Sequence, residues 1–252
     1  CIRDRFYVWT QEEIERILGK KDAALFLKLY RFEKDGNFLD EATHQKNGVN
    51  IPHLRKSLDQ HAKDQNQDSE EFRKKINSLH SKLFADRKKR IHPQKDDKVL
   101  TDWNGLMIST FAQSAKALNQ KKYLNIAQKA ADFCLSELRQ KNGRLLKRWR
   151  KGKAGLPGHL EDYAFLTQGL LDLYEASFEI KYLRASIELV DLTLKHFEDR
   201  TEGGFFLTAN DGEKLLIRAK EIYDGAIPSG NSVMALNLLR VHKITGKEEY
   251  LN

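Results

Sequence analysis

From Trp103 to Leu118 the chain carries a single charged residue, Lys116. A helix so poor in charge must be covered on most of its sides. Tyr163–Phe178 and Asn231–Val241 are further charge-poor stretches, and the first two of the three are followed by a half-polar helix. Leu124, Ala127, Ala131, Leu135 and Leu138 share one face of the first such partner, and Leu183, Ile187, Val190, Leu194 and Phe197 one face of the second. The alternation predicts an inner layer of buried helices sheathed by an outer layer and joined as hairpins, a curved (α/α) double layer. An open solenoid also alternates helices, but its concave set is normally less apolar.

Three short matches set the register of the repeat. Lys122-Tyr123-Leu124, Lys181-Tyr182-Leu183 and Glu249-Tyr250-Leu251 lie 59 and 68 residues apart, room for a hairpin and a connector. Asp102-Trp103-Asn104, Glu161-Asp162-Tyr163 and Ser229-Gly230-Asn231 each lie 21 to 19 residues before the respective tyrosine. Equivalent units would bring these three clusters to one mouth of the arc. Thr101 or Asp102 is expected to cap the first inner helix, since a short side-chain oxygen accepts from its unpaired first-turn N–H groups.

The connectors add to that mouth. The first ends Arg148-Trp149-Arg150-Lys151-Gly152. The second, Gly203–Thr208 and Leu215–Arg218 around Asn210-Asp211-Gly212, alternates as a β-hairpin does, and continues through Tyr223-Asp224-Gly225.

The assembled mouth would hold the carboxylates Asp102, Glu161, Asp162 and Asp224 as candidate acid/base groups. Trp103, Asn104, Arg150, Tyr163, Tyr223, Ser229 and Asn231 are candidate substrate contacts. Flat aromatics beside polar groups suit a sugar, whose ring has apolar faces and hydroxyl edges. One neutral and one ionised carboxyl are what glycosidic acid/base chemistry needs, and a base near a sugar carbonyl could instead isomerise or epimerise it. Each group also has a structural reading. Asp102, Glu161 and Ser229 suit helix caps, Trp103 and Tyr163 suit core aromatics with a satisfied polar tip, and Arg150 suits an ion pair with Asp162 or Glu161. Asp224 suits a turn, and His159 reads as a surface histidine.

Before the repeats, Thr10-Gln11-Glu12-Glu13 is a capping box. Short helices follow over about Gln11–Leu18 and Lys21–Tyr30, then a turn-rich stretch from Asp35 to Pro52 that reads as a connection. Ser69 to about Arg90 reads as one long charged helix closed by Pro93.

Composition narrows the partners. The net charge of +8 is spread along the chain, and its densest run, Asp86–Lys98, is broken by three aspartates without a nucleic-acid motif. Nucleic acid is therefore not expected. No run of about 18 apolar residues is present, so no membrane partner is expected either. Two cysteines, Cys1 and Cys134, make no C-x-x-C pair, which suits a reducing, cytoplasmic setting. No metal-ligand spacing or phosphate-cradling loop stands out, and no cofactor is expected. Cys1–Arg5 reads as a sequencing-adapter scar, and the remainder, 6–252, as part of one toroid truncated at both ends.

The motifs LTDWNGLMI (100–108), LEDYAFLTQGLLDLYEAS (160–177), GGFFLT (203–208) and KEIYDGAIPSGNS (220–232) resemble those of the YyaL-type, spermatogenesis-associated, thioredoxin-domain-containing family. FYVWT (6–10), DGNF (35–38) and DDKVL (96–100) match as well. The resemblance runs from Phe6 to the end. It implies an all-α fold, part of an (α/α) six-hairpin toroid of the six-hairpin glycosidase type with short β-hairpin insertions. It further implies a thioredoxin-like domain elsewhere in the full-length chain as a partner, and a small-molecule or oligosaccharide ligand. Epimerases of the related fold use histidines as acid and base. Here the motifs place carboxylates, Tyr163 and amides at the mouth, which favours a hydrolase-like or purely binding role. The alternative is a non-catalytic scaffold serving the thioredoxin-like domain.

Overall fold

The computed structural model describes residues 2–40 and 43–251. Cys1, the first of the five residues read as a scar, lies outside them. The chain groups into two compact units, residues 1–96 and 97–252.

The first unit holds helices α1 (Ile2–Tyr7), α2 (Gln11–Leu18), α3 (Lys20–Leu29), α4 (Leu58–Asp64) and α5 (Ser69–Arg87). The capping box forms as expected. Glu13 N–H donates to Thr10 Oγ1 at 3.2 Å, and Thr10 N–H returns to Glu13 Oε2 at 3.0 Å. Ile14, Phe26, Leu29, Phe72, Ile76 and Leu79 form its core. The turn-rich stretch is organised by fully buried Asn50, whose Oδ1 accepts from Glu33 N–H (2.8 Å) and Asn37 N–H (3.1 Å) while its Nδ2 donates to Glu33 O. Arg90 clamps the start of the unit: its guanidinium donates to the carbonyls of Phe6 and Val8 and lies 4.0 Å from the Trp9 ring centre.

The second unit contains the repeats. Inner helices α6 (Thr101–Leu118), α8 (Leu160–Ser177) and α10 (Gly230–Thr245) alternate with outer helices α7 (Lys121–Glu137) and α9 (Ile180–His196), and Glu248–Tyr250 makes a short 3₁₀ turn after α10. α8 is the central inner helix, packed between α6 and α10 and almost wholly buried. The three inner helices run parallel. Asp102 meets Asp162 at their starts and Lys116 meets Glu175 near their ends, while Asn237 of α10 donates to Ala164 O and Arg240 reaches Asp172. All three N-termini therefore point the same way.

Gly105 makes the α6–α8 approach possible. A Cβ there would sit 2.4 Å from the Phe165 carbonyl carbon, and one on Gly169 would sit 2.5 Å from Gly105 O. The few charges of the inner helices find each other at depth. Nearly buried Asp172 accepts from Ser109 Oγ (2.5 Å) and Gln113 Nε2 (3.0 Å) of α6 and pairs with Arg240 of α10 (2.7 Å). One carboxylate thus ties three helices, which offsets its own burial cost.

The tyrosines that set the repeat are stitches between units. Tyr182 donates to Asp132 Oδ1 of α7 at 3.2 Å, and Tyr250 donates to Asp191 Oδ1 of α9 at 2.8 Å. Each aspartate stands nine residues after the tyrosine of its own helix.

One local expectation is corrected, the hairpin of the second connector. The β-hairpin lies in the first connector, with β2 (Leu146–Arg150) pairing β3 (Lys153–Pro157), and β1 (Val99–Leu100) adds to β2 antiparallel, Val99 opposite Trp149. Lys151 (φ 50°) and Gly152 (φ 76°) make the tight two-residue turn that the right-handed strand twist favours. Residues 203–218 form no ladder. Phe205 instead makes an isolated antiparallel bridge with Glu198, and on its other edge Asn231 Oδ1 accepts Phe205 N–H (2.7 Å) and Asn231 Nδ2 donates to Phe205 O (2.9 Å).

Candidate functional site

The starts of α6 and α8 meet at a single buried carboxylate. The N-cap of α6 is Leu100, which has no side-chain cap to give; Thr101 Oγ1 donates to Leu146 O at 2.6 Å, while Asp102, already inside the first turn, accepts Trp103 N–H on its Oδ1 at 2.8 Å. The cap comes from Asp162 of the neighbouring helix, whose Oδ1 accepts Asp102 N–H at 3.1 Å. Its Oδ2 accepts His159 N–H at 2.8 Å, closing the start of its own helix α8. Asp162 is fully buried. Lys147, on β2, reaches both acids, 3.4 Å from Asp102 Oδ2 and 3.4 Å from Asp162 Oδ2.

The electrostatics follow from burial. Loss of water pushes the Asp162 carboxyl up to about 7, against the pull of Lys147 and the N–H of His159. Burial works against the charge on Lys147, but Asp162 and Asp102 outweigh it and hold its pKa above the ordinary lysine value. Burial, then the neighbouring Lys147 charge, lowers the pKa of His159. An acid pushed to neutrality beside a held ammonium and a depressed imidazole is an arrangement able to keep or move a proton near pH 7.

Lys147 and His159 face a cavity of about 640 Å³. Arg144, Asn142, Thr208 and Asp211 share its wall with Leu145, Leu146 and Leu156. Arg144 is fixed by Asp211 at 2.8 Å, and His196 Nδ1 stands 3.5 Å from the same acid. Thr208 Oγ1 is buried without a hydrogen-bond partner among the described residues.

The predicted site residues divide. Asp102 and Asp162 come together through the backbone and Lys147. Glu161, half-buried at the start of α8, acts on His159 as a neighbouring charge. Gly230 packs against Leu160 and Glu161, so the α10 start adjoins the α8 start. Tyr163 turns into the core, where its hydroxyl accepts from Leu145 N–H (2.9 Å) and Arg144 Nε (3.1 Å). Arg150 pairs with Asp97 and not with Asp162 or Glu161 as expected; the cation that reaches Asp162 is Lys147. Asn104 donates to Leu100 O at 2.7 Å, leaving Trp103 61% exposed beside it. Ser229 caps α10 by accepting from Ser232 N–H. Asp224, outside the cavity on an exposed loop, accepts from Ser229 N–H and Ser232 Oγ, which hold its carboxyl below the usual range; Tyr223 beside it is exposed. Lys147, Arg144, His159 and Asp211 were not among the predicted contacts. The signal for Lys147 was its place on the strand that leads to Trp149 and Arg150. No cluster of three or more His, Cys, Asp or Glu among the described residues is placed to hold a metal ion.

No protein-family profile matches the chain. Human spermatogenesis-associated protein 20 is 36% identical over 268 aligned residues, which take in 98% of this chain and 34% of the human protein. Over nearly its whole length the chain is thus similar to part of spermatogenesis-associated protein 20. It spans about a third of the length of the curated relatives it matches. Among solved structures, cellobiose 2-epimerase from Spirochaeta thermophila superposes with a TM-score of 0.52 at 18% identity, covering 63% of this chain and 41% of that one. The cellobiose 2-epimerase of Bacillus thermoamylovorans gives 0.51 at 15% identity, covering 63% and 43%. At such identity the likeness is one of fold, the (α/α) six-hairpin toroid expected from the motifs. No helix among the described residues is long and apolar enough to cross a membrane.

Proposed function

We propose that the helical unit 97–252 binds a carbohydrate in the cavity that lies between the first connector and residues 208–215, beside the start of α8. One observation carries the reading. A pocket of about 640 Å³ brings a guanidinium, an ammonium, an imidazole, amides and carboxylates together on a wall that also carries four leucines. Fixed polar groups on an apolar surface suit a ring with hydroxyl edges. The solved structures of like fold are sugar epimerases by name, which agrees with a sugar here but supplies the fold, not the ligand.

Within this reading Lys147 and His159 touch the ligand, and Asp102 and Asp162 position Lys147 from behind. Both carboxylates of that pair have oxygens committed to backbone N–H groups and to Lys147. That favours binding over bond cleavage. Trp103, Glu161 and Asn231 would then act at the rim or in the framework.

The second reading is a scaffold that supports a thioredoxin-like domain in a longer, cytoplasmic protein. It is favoured by the same commitment of the carboxylates to helix ends.

Thermal shift and calorimetry with glucose, mannose, cellobiose and mannobiose separate the two. Carbohydrate binding predicts a saturable rise in Tm with at least one sugar, weakened at least tenfold by Lys147→Met or His159→Ala. No response to any of the four up to 20 mM would leave the scaffold.

A further inference from the structure

The first unit contains a second cavity, of about 600 Å³, that the sugar reading does not use. Its walls are aromatic: Trp9, Phe26 and Tyr30 are buried, and Tyr7 and Phe84 stand half-exposed at its edge. The polar side chains at one end are already engaged. Tyr30 and His80 share a 2.5 Å hydrogen bond, and Ser81 Oγ donates to Asn77 O.

Arg87 at the other end is different. Its Nε is buried and has no hydrogen-bond partner among the described residues. Its guanidinium lies 5.5 Å from the Phe84 ring centre and 5.6 Å from those of Phe6 and Tyr7. The nearest acid in sequence, Asp86, is taken by Arg16 and Lys89. Lys88 adds a second positive charge at Phe84, 4.6 Å from the ring centre. Rings hold a guanidinium in place by their negative faces, but they do not supply the oxygen acceptors its N–H groups need.

We propose that this cavity binds an organic carboxylate with an apolar body, its head on Arg87 and its body along Phe84, Phe26 and Trp9. A planar guanidinium takes a carboxylate through two parallel N–H···O bonds, here from its outer Nη1 and Nη2 groups, since Nε is closed off by the protein and only makes the head group's own demand for acceptors larger. His80, Phe84 and Arg87 lie on one face of α5, and the seven residues from His80 to Arg87 span about 10 Å at the helical rise. An acyl chain of eight to ten carbons matches that length.

Decanoate is the probe, with decan-1-ol as its uncharged counterpart, each titrated into the 252-residue chain and followed by calorimetry and by the fluorescence of Trp9. The expected result is one decanoate per chain, bound at least tenfold more tightly than decan-1-ol. Arg87→Gln should remove that preference and leave decan-1-ol within twofold of its original affinity. Ser81→Trp, at an exposed position on the cavity wall, should abolish binding of both without lowering Tm. Equal affinity for the acid and the alcohol overturns the proposal, as does decanoate binding that survives both substitutions, or no saturable binding at 5 mM. A chain that dimerises through this face, with the dimer broken by Ser81→Trp and unaffected by decanoate, also overturns it and makes a second copy the occupant.

Discussion

Asp162 accepts the backbone N–H of Asp102 at 3.1 Å, so a side chain of one inner helix caps the start of the next. The same carboxylate caps its own helix through His159 N–H. Two helix starts, normally given two separate caps, depend on one buried group.

That dependence has a pH signature. The folded-state pKa of Asp162, pushed up to about 7, lies above the unfolded value of about 3.9. The group's contribution to stability is therefore fully present below about pH 4 and is lost as pH rises through about 7. Asp162→Asn does not titrate and leaves His159 N–H without its acceptor, at a cost on the order of 1–3 kcal/mol at pH 5. Urea melts at pH 5, 6.5 and 8 should show the deficit of the variant shrinking as pH rises. A deficit that grows with pH would contradict the burial-dominated shift.

Gly105 sets the distance between α6 and α8. A Cβ 2.4 Å from the backbone of Phe165 cannot be absorbed by a side-chain rotation. Gly105→Ala should cost about 1–3 kcal/mol or more through forced separation of the two helices. Gly155 on β3 has open space where a Cβ would point, with nothing within 4 Å, so Gly155→Ala is the matched control and should change Tm little. Equal melting of the two variants would remove the close-approach argument.

The stitches of Tyr182 to Asp132 and Tyr250 to Asp191 should be separable. Each Tyr→Phe change deletes one hydroxyl donor and should cost about 1 kcal/mol. The two lie in different interfaces, so the double variant should lose the sum within about 0.5 kcal/mol. Denaturant midpoints of the four proteins check this, and a strongly non-additive pair would mean that the two stitches are not independent.

Asn50 should matter more than its place in a turn-rich stretch suggests. Asn50→Ala leaves the N–H groups of Glu33 and Asn37 without their shared acceptor, a loss of about 2 kcal/mol or more. Limited trypsinolysis should then cut faster after Lys34 and Lys46 while the second unit keeps its cleavage rate. Unchanged cleavage there would show that the loop is held by other contacts.

The features readable from the sequence are those written in one dimension. The Thr10–Glu13 box is a local pattern. The charge-poor helices and the evenly placed tyrosines follow from periodicity, and with them the parallel inner helices and the shared mouth at Asp102 and Asp162. Groups that act across helices were not readable. Asp162 at the third position of α8 looks like an ordinary first-turn acid, and nothing local marks it as the cap of α6. Lys147 sits on a five-residue strand whose turn uses a left-handed lysine, so neither the hairpin nor the lysine stands out. Residues 203–218 alternate as a strand would, but Asn231 takes the N–H and carbonyl of Phe205 on one edge while Gly204 and Phe206 bond to Asp199 and Phe197 on the other, so no hairpin forms across Asn210-Asp211-Gly212. Tyr163 carries a family motif, yet its hydroxyl serves Leu145 and Arg144 in the core.

The tyrosine–aspartate stitch has a consequence for how such a chain can change its length over evolutionary time. Tyr182 and Asp191 sit on one outer helix, the first giving to the preceding unit and the second receiving from the following one. Tyr123 and Asp132 occupy the same two places on α7. A hairpin built this way is a tile with a donor on one edge and an acceptor on the other. Copying one in the gene, or removing one, leaves every remaining edge matched, so the number of hairpins can drift without the seam between them having to be invented again.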